Sequence, residues 1–86
     1  MYERVPHVRV EPVGTLWAAF SPASGETLLL NDASAAVLEV LGHGPATPDA
    51  VAAALAGDSG ASAADWASVL DHCWPSLIRG GLVRQR

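Results

Sequence analysis

The sequence predicts an α+β domain, a three-stranded antiparallel meander followed by a three-helix bundle, from three observations. Apolar residues alternate with others from His7 to Leu30, the period of half-buried strands. From Asn31 onward they recur instead at three- and four-residue spacing, the period of helices. Turn formers fall between the segments, at Ser21-Pro22-Ala23-Ser24-Gly25, Gly42-His43-Gly44-Pro45 and Gly57-Asp58-Ser59-Gly60.

His7 to Val13 sets Val8 and Val10 against His7, Arg9 and Glu11, and Pro12 marks a strand end or a sheet edge. After Gly14, Thr15 to Phe20 places Leu16, Ala18 and Phe20 on one face and Trp17 and Ala19 on the other, so both faces are apolar. Ser21 to Gly25 reads as a hairpin loop: Pro22 presets φ, the serines bond nearby backbone and Gly25 takes positive φ. Glu26 to Leu30 completes the meander as strand three, with Leu28 and Leu30 on one face and Thr27 and Leu29 on the other.

Asn31 is a good cap for a first helix whose apolar residues Ala33, Ala36, Val37, Val40 and Leu41 share a side, and Gly42 ends it. Thr47, Pro48 and Asp49 supply the cap, first-turn proline and dipole-stabilising acid of a second helix, expected to run to about Ala56. Ser62 caps a third. Trp66, Val69, Leu70, Cys73 and Leu77 form its apolar stripe, opposite Asp65, Ser68, Asp71, His72, Ser76 and Arg79. Pro75 is expected to kink or end that helix near Trp74. Gly80-Gly81 stops it, and Leu82-Val83-Arg84 forms a short strand or a packed tail. Three strands then three helices are the proportions of a winged helix-turn-helix domain.

The 86 residues fit a single domain, 1–86, which buries about 60–65% of the surface its unfolded chain exposes. One modest core leaves no room for a second lobe with a deep cleft, which argues against a multi-substrate enzyme. The lone Cys73 forms no internal disulfide, no apolar run approaches the roughly 18 residues of a membrane span, and Met1 to Val10 lacks the apolar centre of a signal peptide. A soluble, cytoplasmic protein is the expectation. The formal charge is -4, with five Arg and no Lys, and the interval between Arg9 and Arg79 contains eight acids and no basic residue. Its negative potential repels phosphate backbones.

Few residues suggest chemistry. His72 and Cys73 are neighbours, but adjacent helical positions point about 100° apart, with Cys73 on the apolar stripe and His72 on the polar face. A buried, inert thiol is the simpler reading. Asp65, Ser68 and His72 hold the side-chain types of a hydrolase triad without a nucleophile elbow or an oxyanion hole. The three histidines lack metal-ligand spacing, and Gly42-His43-Gly44 follows a helix, the wrong context for a phosphate cradle. No catalytic residue, metal or cofactor is expected.

A winged-helix order raises DNA binding, but the third helix turns Asp65, Asp71 and His72 outward where base readers need Arg, Lys, Asn or Gln. That reading depends on Arg4, Arg9, Arg84 and Arg86 converging in space. Two features favour a peptide instead. Strand three has no charge after Glu26 to blunt its edge, so Thr27-Leu28-Leu29-Leu30 can accept an added strand. The third helix also has an apolar arc wider than a core needs, since Ala63, Ala67, Trp74 and Ile78 flank its stripe. A groove between the two would be lined by Leu and Trp. The same residues would equally finish a small core or a homodimer interface.

The segment from Phe20 through Leu41, with Gly44-Pro45-Ala46-Thr47 and Gly81-Leu82-Val83, resembles the PqqD-like family of small peptide chaperones, also called RiPP recognition elements. It is similar in particular to the branch described as belonging to an HPr-kinase-related system, over about residues 14 to 83. The resemblance implies a winged-helix-like, non-enzymatic protein that binds a ribosomally made precursor peptide beside strand three. It presents that peptide to a modifying enzyme, such as a radical SAM protein or a protein of the HPr-kinase-related system. By position, Thr27, Leu28, Leu29 and Leu30 and the helix residues Trp66, Val69, Leu70 and Cys73 would line the groove. Pro75 departs from the family's uninterrupted third helix, at the far end of that groove.

Overall fold

The computed structural model describes residues 1–22 and 24–86. These residues form an α+β domain with two antiparallel sheets and four helices. Strands β2 (Arg9–Val13), β3 (Leu16–Phe20) and β4 (Thr27–Leu30) form the expected meander, so β4 is strand three of the sequence reading. The register pairs Val10 with Ala19 and Ala19 with Leu28, and Pro12 with Trp17 and Trp17 with Leu30. Of these, Val10, Trp17, Ala19, Leu28 and Leu30 turn inward and pack on the core and Pro12 stays exposed, while Val13, Leu16, Phe20 and Leu29 remain exposed on the outer face. The hairpin between β3 and β4 contains Ala23, which lies outside the described residues.

The first strand begins at Arg9, not at His7, because Val5 to Val8 form a turn. The Val8 N–H donates to the Val5 carbonyl, Pro6 occupies the second position and His7 takes φ 68°, the pattern of a type II turn. Before that turn, β1 (Tyr2–Arg4) pairs with β5 (Val83–Gln85), which joins the two ends of the chain in a ribbon. The tail at Leu82-Val83-Arg84 is therefore a strand, and its partner β1 was not anticipated. Tyr2 also exchanges backbone hydrogen bonds with Ala46 and stacks on Trp74 with ring centroids 4.6 Å apart.

Helix α1 (Asp32–Leu41) begins where Asn31 accepts the Ser34 N–H, and α2 (Pro48–Ser59) where Thr47 accepts that of Ala50. α2 passes through Gly57, one turn beyond the expected end, and stops at Gly60, whose φ of 78° only glycine takes without strain. Ser62 caps α3 (Ala63–Asp71) through the Asp65 N–H.

The expected third helix is two helices, so the three-helix bundle is corrected to four. α3 ends at Asp71, and three-residue hydrogen bonds from His72 to Val69 and from Cys73 to Leu70 close its last turn. α4 (Trp74–Arg79) then starts with Pro75 in its first turn, where the missing N–H is no loss. The helix was expected to kink or end near Trp74; it ends at Asp71, and Pro75 lies in the first turn of the next one. Val37, Leu38, Val51, Leu70, Leu77 and Leu82 are almost wholly buried between the helices and the sheet. Among the described residues no helix is long and apolar enough to cross a membrane.

Candidate functional site

The three-stranded sheet has two outer edges, and backbone pairing fixes which groups each one presents. The Ser21 N–H donates to the carbonyl of Glu26, directly opposite in register. By the alternation of antiparallel pairing, Leu28 and Leu30 then bond toward β3, and Thr27 and Leu29 turn their N–H and C=O groups to the free edge of β4. The same alternation across β3 leaves Val10 and Pro12 at the free edge of β2. Pro12 has no N–H to offer there, and Arg9 and Glu11 stand on that strand as an exposed ion pair. The β2 edge is blunted. The β4 edge carries neither proline nor charge.

Beside the β4 edge lies a groove of 410 Å³. Leu29, Leu30 and Asn31 form one wall, Val69, His72, Cys73 and Ser76 the other, and the buried Ser34 lies between. The separation between the walls is fixed at both ends. At the start of β4, Ser21 and Ser24 hydroxyls donate to the carbonyls of Gly81 and Gly80, 3.0 and 3.3 Å away. Gly80 approaches Leu28 so closely that a Cβ would collide with Leu28 Cδ1. At the end of β4, Asn31 starts α1.

The predicted site residues divide. Leu29, Leu30, Val69 and Cys73 meet at the groove. Leu29 and Val69 are 65% and 46% exposed, so both walls offer apolar surface that the fold does not cover. Cys73 is buried and its thiol donates to the Val69 carbonyl at 3.6 Å. Leu28 faces the core under Gly80, and Leu70, 1% exposed, is part of the core itself. Thr27 lies on the outer sheet face near Arg9 and Phe20. Trp66 walls an adjoining hollow of 380 Å³ with Asp32, Ala33, Ala61, Asp65 and Val69. Its indole N–H donates to Ser59 Oγ at 2.7 Å, which pins the ring to the end of α2.

Sequence reasoning missed Asn31, Ser34, His72 and Ser76 as lining residues. A continuous third helix assigned His72 and Ser76 to its solvent side; the break at Asp71 brings both to the groove. The signal was Pro75 itself, read as a first-turn residue.

A larger hollow, of 510 Å³, lies on the other side of α1 and holds Arg4, Trp17, Asp32 and Glu39. Arg4, Trp17 and Asp32 are already engaged there. Arg4 donates to the carbonyls of Leu38 and Val8 at 3.1 and 2.7 Å, and Trp17 donates to Asp32 Oδ1 at 2.9 Å. Arg84 and Arg86 pair with Glu3. Of the four arginines on which DNA binding depends, one caps carbonyls and three face carboxylates. Among the described residues no group of three or more His, Cys, Asp or Glu converges as a metal site would require.

Comparison of the chain with protein-family models, with curated proteins and with solved structures finds no match.

Proposed function

We propose that this chain is a cytoplasmic, non-enzymatic peptide chaperone of winged helix-turn-helix-like architecture. It takes a segment of a ribosomally made precursor as an added strand on β4 and presents it to a modifying enzyme. The observation that carries this reading is the unblunted β4 edge facing the helical wall of Val69, His72, Cys73 and Ser76 across a groove open at the surface. Strand addition draws affinity from main-chain hydrogen bonds and specificity from pockets that read alternate side chains. Here Thr27 and Leu29 supply the donors and acceptors, and Val69 and Cys73 supply the apolar surface.

Peptides copied from short reading frames beside the gene, titrated into the labelled protein, test the proposal through backbone amide shifts. The expected result is saturable movement of Thr27 to Leu30 together with Val69, His72 and Cys73. A titration in which residues 26–30 and 66–77 stay fixed overturns strand addition. The β4 edge could also pair with that of a second copy; a concentration-dependent dimer whose contacts include Leu29 would replace the peptide reading.

A further inference from the structure

The groove contains a polar group that the fold does not use. Ser34 is 8% exposed and lies between the two walls. Its N–H donates to Asn31 Oδ1 at 2.9 Å, but its hydroxyl has no hydrogen-bond partner among the described residues. Nor is that hydroxyl sealed in. Among the described residues the one buried side-chain nitrogen or oxygen without a partner is Trp74 Nε1, so Ser34 Oγ opens outward, and the groove is the depression that Ser34 lines. Beside it α1 buries Ala35, Val37, Leu38 and Leu41, so packing alone would favour an apolar residue here. A polar side chain at this depth ordinarily has a partner.

The rest of the lining decides what that partner can be. Leu29, Val69 and Cys73 are apolar, Asn31, His72 and Ser76 are the other polar members, and none of the lining residues is Asp, Glu, Lys or Arg. A carboxylate or an ammonium would give up water there without meeting a carboxylate or a guanidinium. A wholly apolar side chain would cover Ser34 and leave its hydroxyl desolvated and unpaired. A carboxamide avoids both costs, because its oxygen accepts from the Ser34 hydroxyl and its NH2 group donates to the Ser34 or Ser76 oxygen. We infer that Ser34 reads an asparagine or glutamine of the strand bound at β4. Residues opposite one another in neighbouring strands share a face, so the position read is the one opposite Leu30, beside the turn into α1. This rests on the strand-addition reading and adds to it the kind of side chain the groove selects.

The probes are an acetylated, amidated peptide of alternating Thr and Leu and its variants in which each leucine in turn is asparagine, close to leucine in shape, or aspartate. At one position asparagine should bind at least as tightly as leucine and more tightly than aspartate; at the others it should cost affinity. At that position Ser34→Ala should lower the affinity for asparagine relative to leucine by about fivefold, the worth of one hydrogen bond, and elsewhere it should leave the ratio unchanged. The melting temperature of Ser34→Ala should hold or rise, since the hydroxyl bonds nothing in the fold and alanine is the better helix former. A lower melting temperature would make Ser34 a structural residue and overturn the inference. So would an asparagine-to-leucine ratio that Ser34→Ala leaves unchanged at every position, or aspartate binding more tightly than asparagine. In each of those cases continued shifts at Thr27 to Leu30 leave strand addition standing. No shift there with any peptide, the all-leucine one included, removes both.

Discussion

The two edges of the β2–β3–β4 sheet differ in how they are finished. At β2, Pro12 removes an outward N–H, and Arg9 and Glu11 add charge beside it. These are standard devices against unwanted strand pairing. At β4 none of them is present: Thr27 and Leu29 present unpaired backbone groups, and Leu29 is the most exposed large apolar side chain of the sheet. A bare edge on a small domain is an aggregation hazard, so its presence opposite a protected one calls for a reason specific to β4.

Two neighbours on α3 give the largest expected effect on stability. Leu70 is 1% exposed and Val69 is 46% exposed, so the same truncation separates core from groove. Leu70→Ala should cost about 2–5 kcal/mol, the range for emptying a buried leucine site, and would threaten folding outright. Val69→Ala should cost less than about 1 kcal/mol and leave the melting temperature almost unchanged. Peptide binding, read by the amide shifts of β4, should nevertheless weaken in Val69→Ala. Equal losses of stability in the two variants would mean that the groove wall is core, and the contrast between a closed and an open side of β4 would fail.

An intermediate effect is expected from unblunting the protected edge. Pro12→Val restores an outward N–H on β2 and removes a proline restraint from the unfolded chain, a stability change within about 1 kcal/mol. The main consequence should be self-association that rises with concentration, measured by sedimentation. A strictly monomeric Pro12→Val would show that Arg9 and Glu11 alone suffice to protect the edge.

Much of this arrangement was legible because it is encoded locally. Asn31, Thr47 with Pro48, and Ser62 each announce a helix start by a side chain that satisfies a free N–H two or three residues on. The alternation in β2 to β4 identifies the meander and the inward residues. The ribbon of β1 and β5 was not legible. Each strand has three residues, too few to show a period, and their pairing joins opposite ends of the chain. The split between α3 and α4 was hidden for a different reason: Trp66, Val69, Leu70, Cys73 and Leu77 keep helical spacing across the break, so periodicity alone reads one helix. That concealment moved His72 and Ser76 to the wrong side. Leu28 and Leu70 were assigned to the groove because sequence spacing locates a face but not which part of it the neighbouring elements cover.

The smallest change in stability, and the sharpest test of the contrast between the edges, comes from giving β4 a device that other sheets use. Leu29→Lys places a charge on the bare edge at a side chain already 65% exposed. Little apolar burial is lost, and the stem of lysine still covers the neighbouring surface while its ammonium remains in water. Glu11 lies across Ala18 on the same sheet face, so the new charge meets no cation there. Stability should stay within about 0.5 kcal/mol of the parent. Strand addition should nevertheless weaken by at least about tenfold, because the entering segment loses an apolar neighbour and must desolvate an ammonium beside its own backbone. Titration of a peptide copied from a short reading frame beside the gene into this variant, followed at Val69 and Cys73, gives the readout. Unchanged affinity would mean that the peptide does not approach along β4. The groove would then have to be entered from the α3 side, with Thr27 and Leu29 left for another strand.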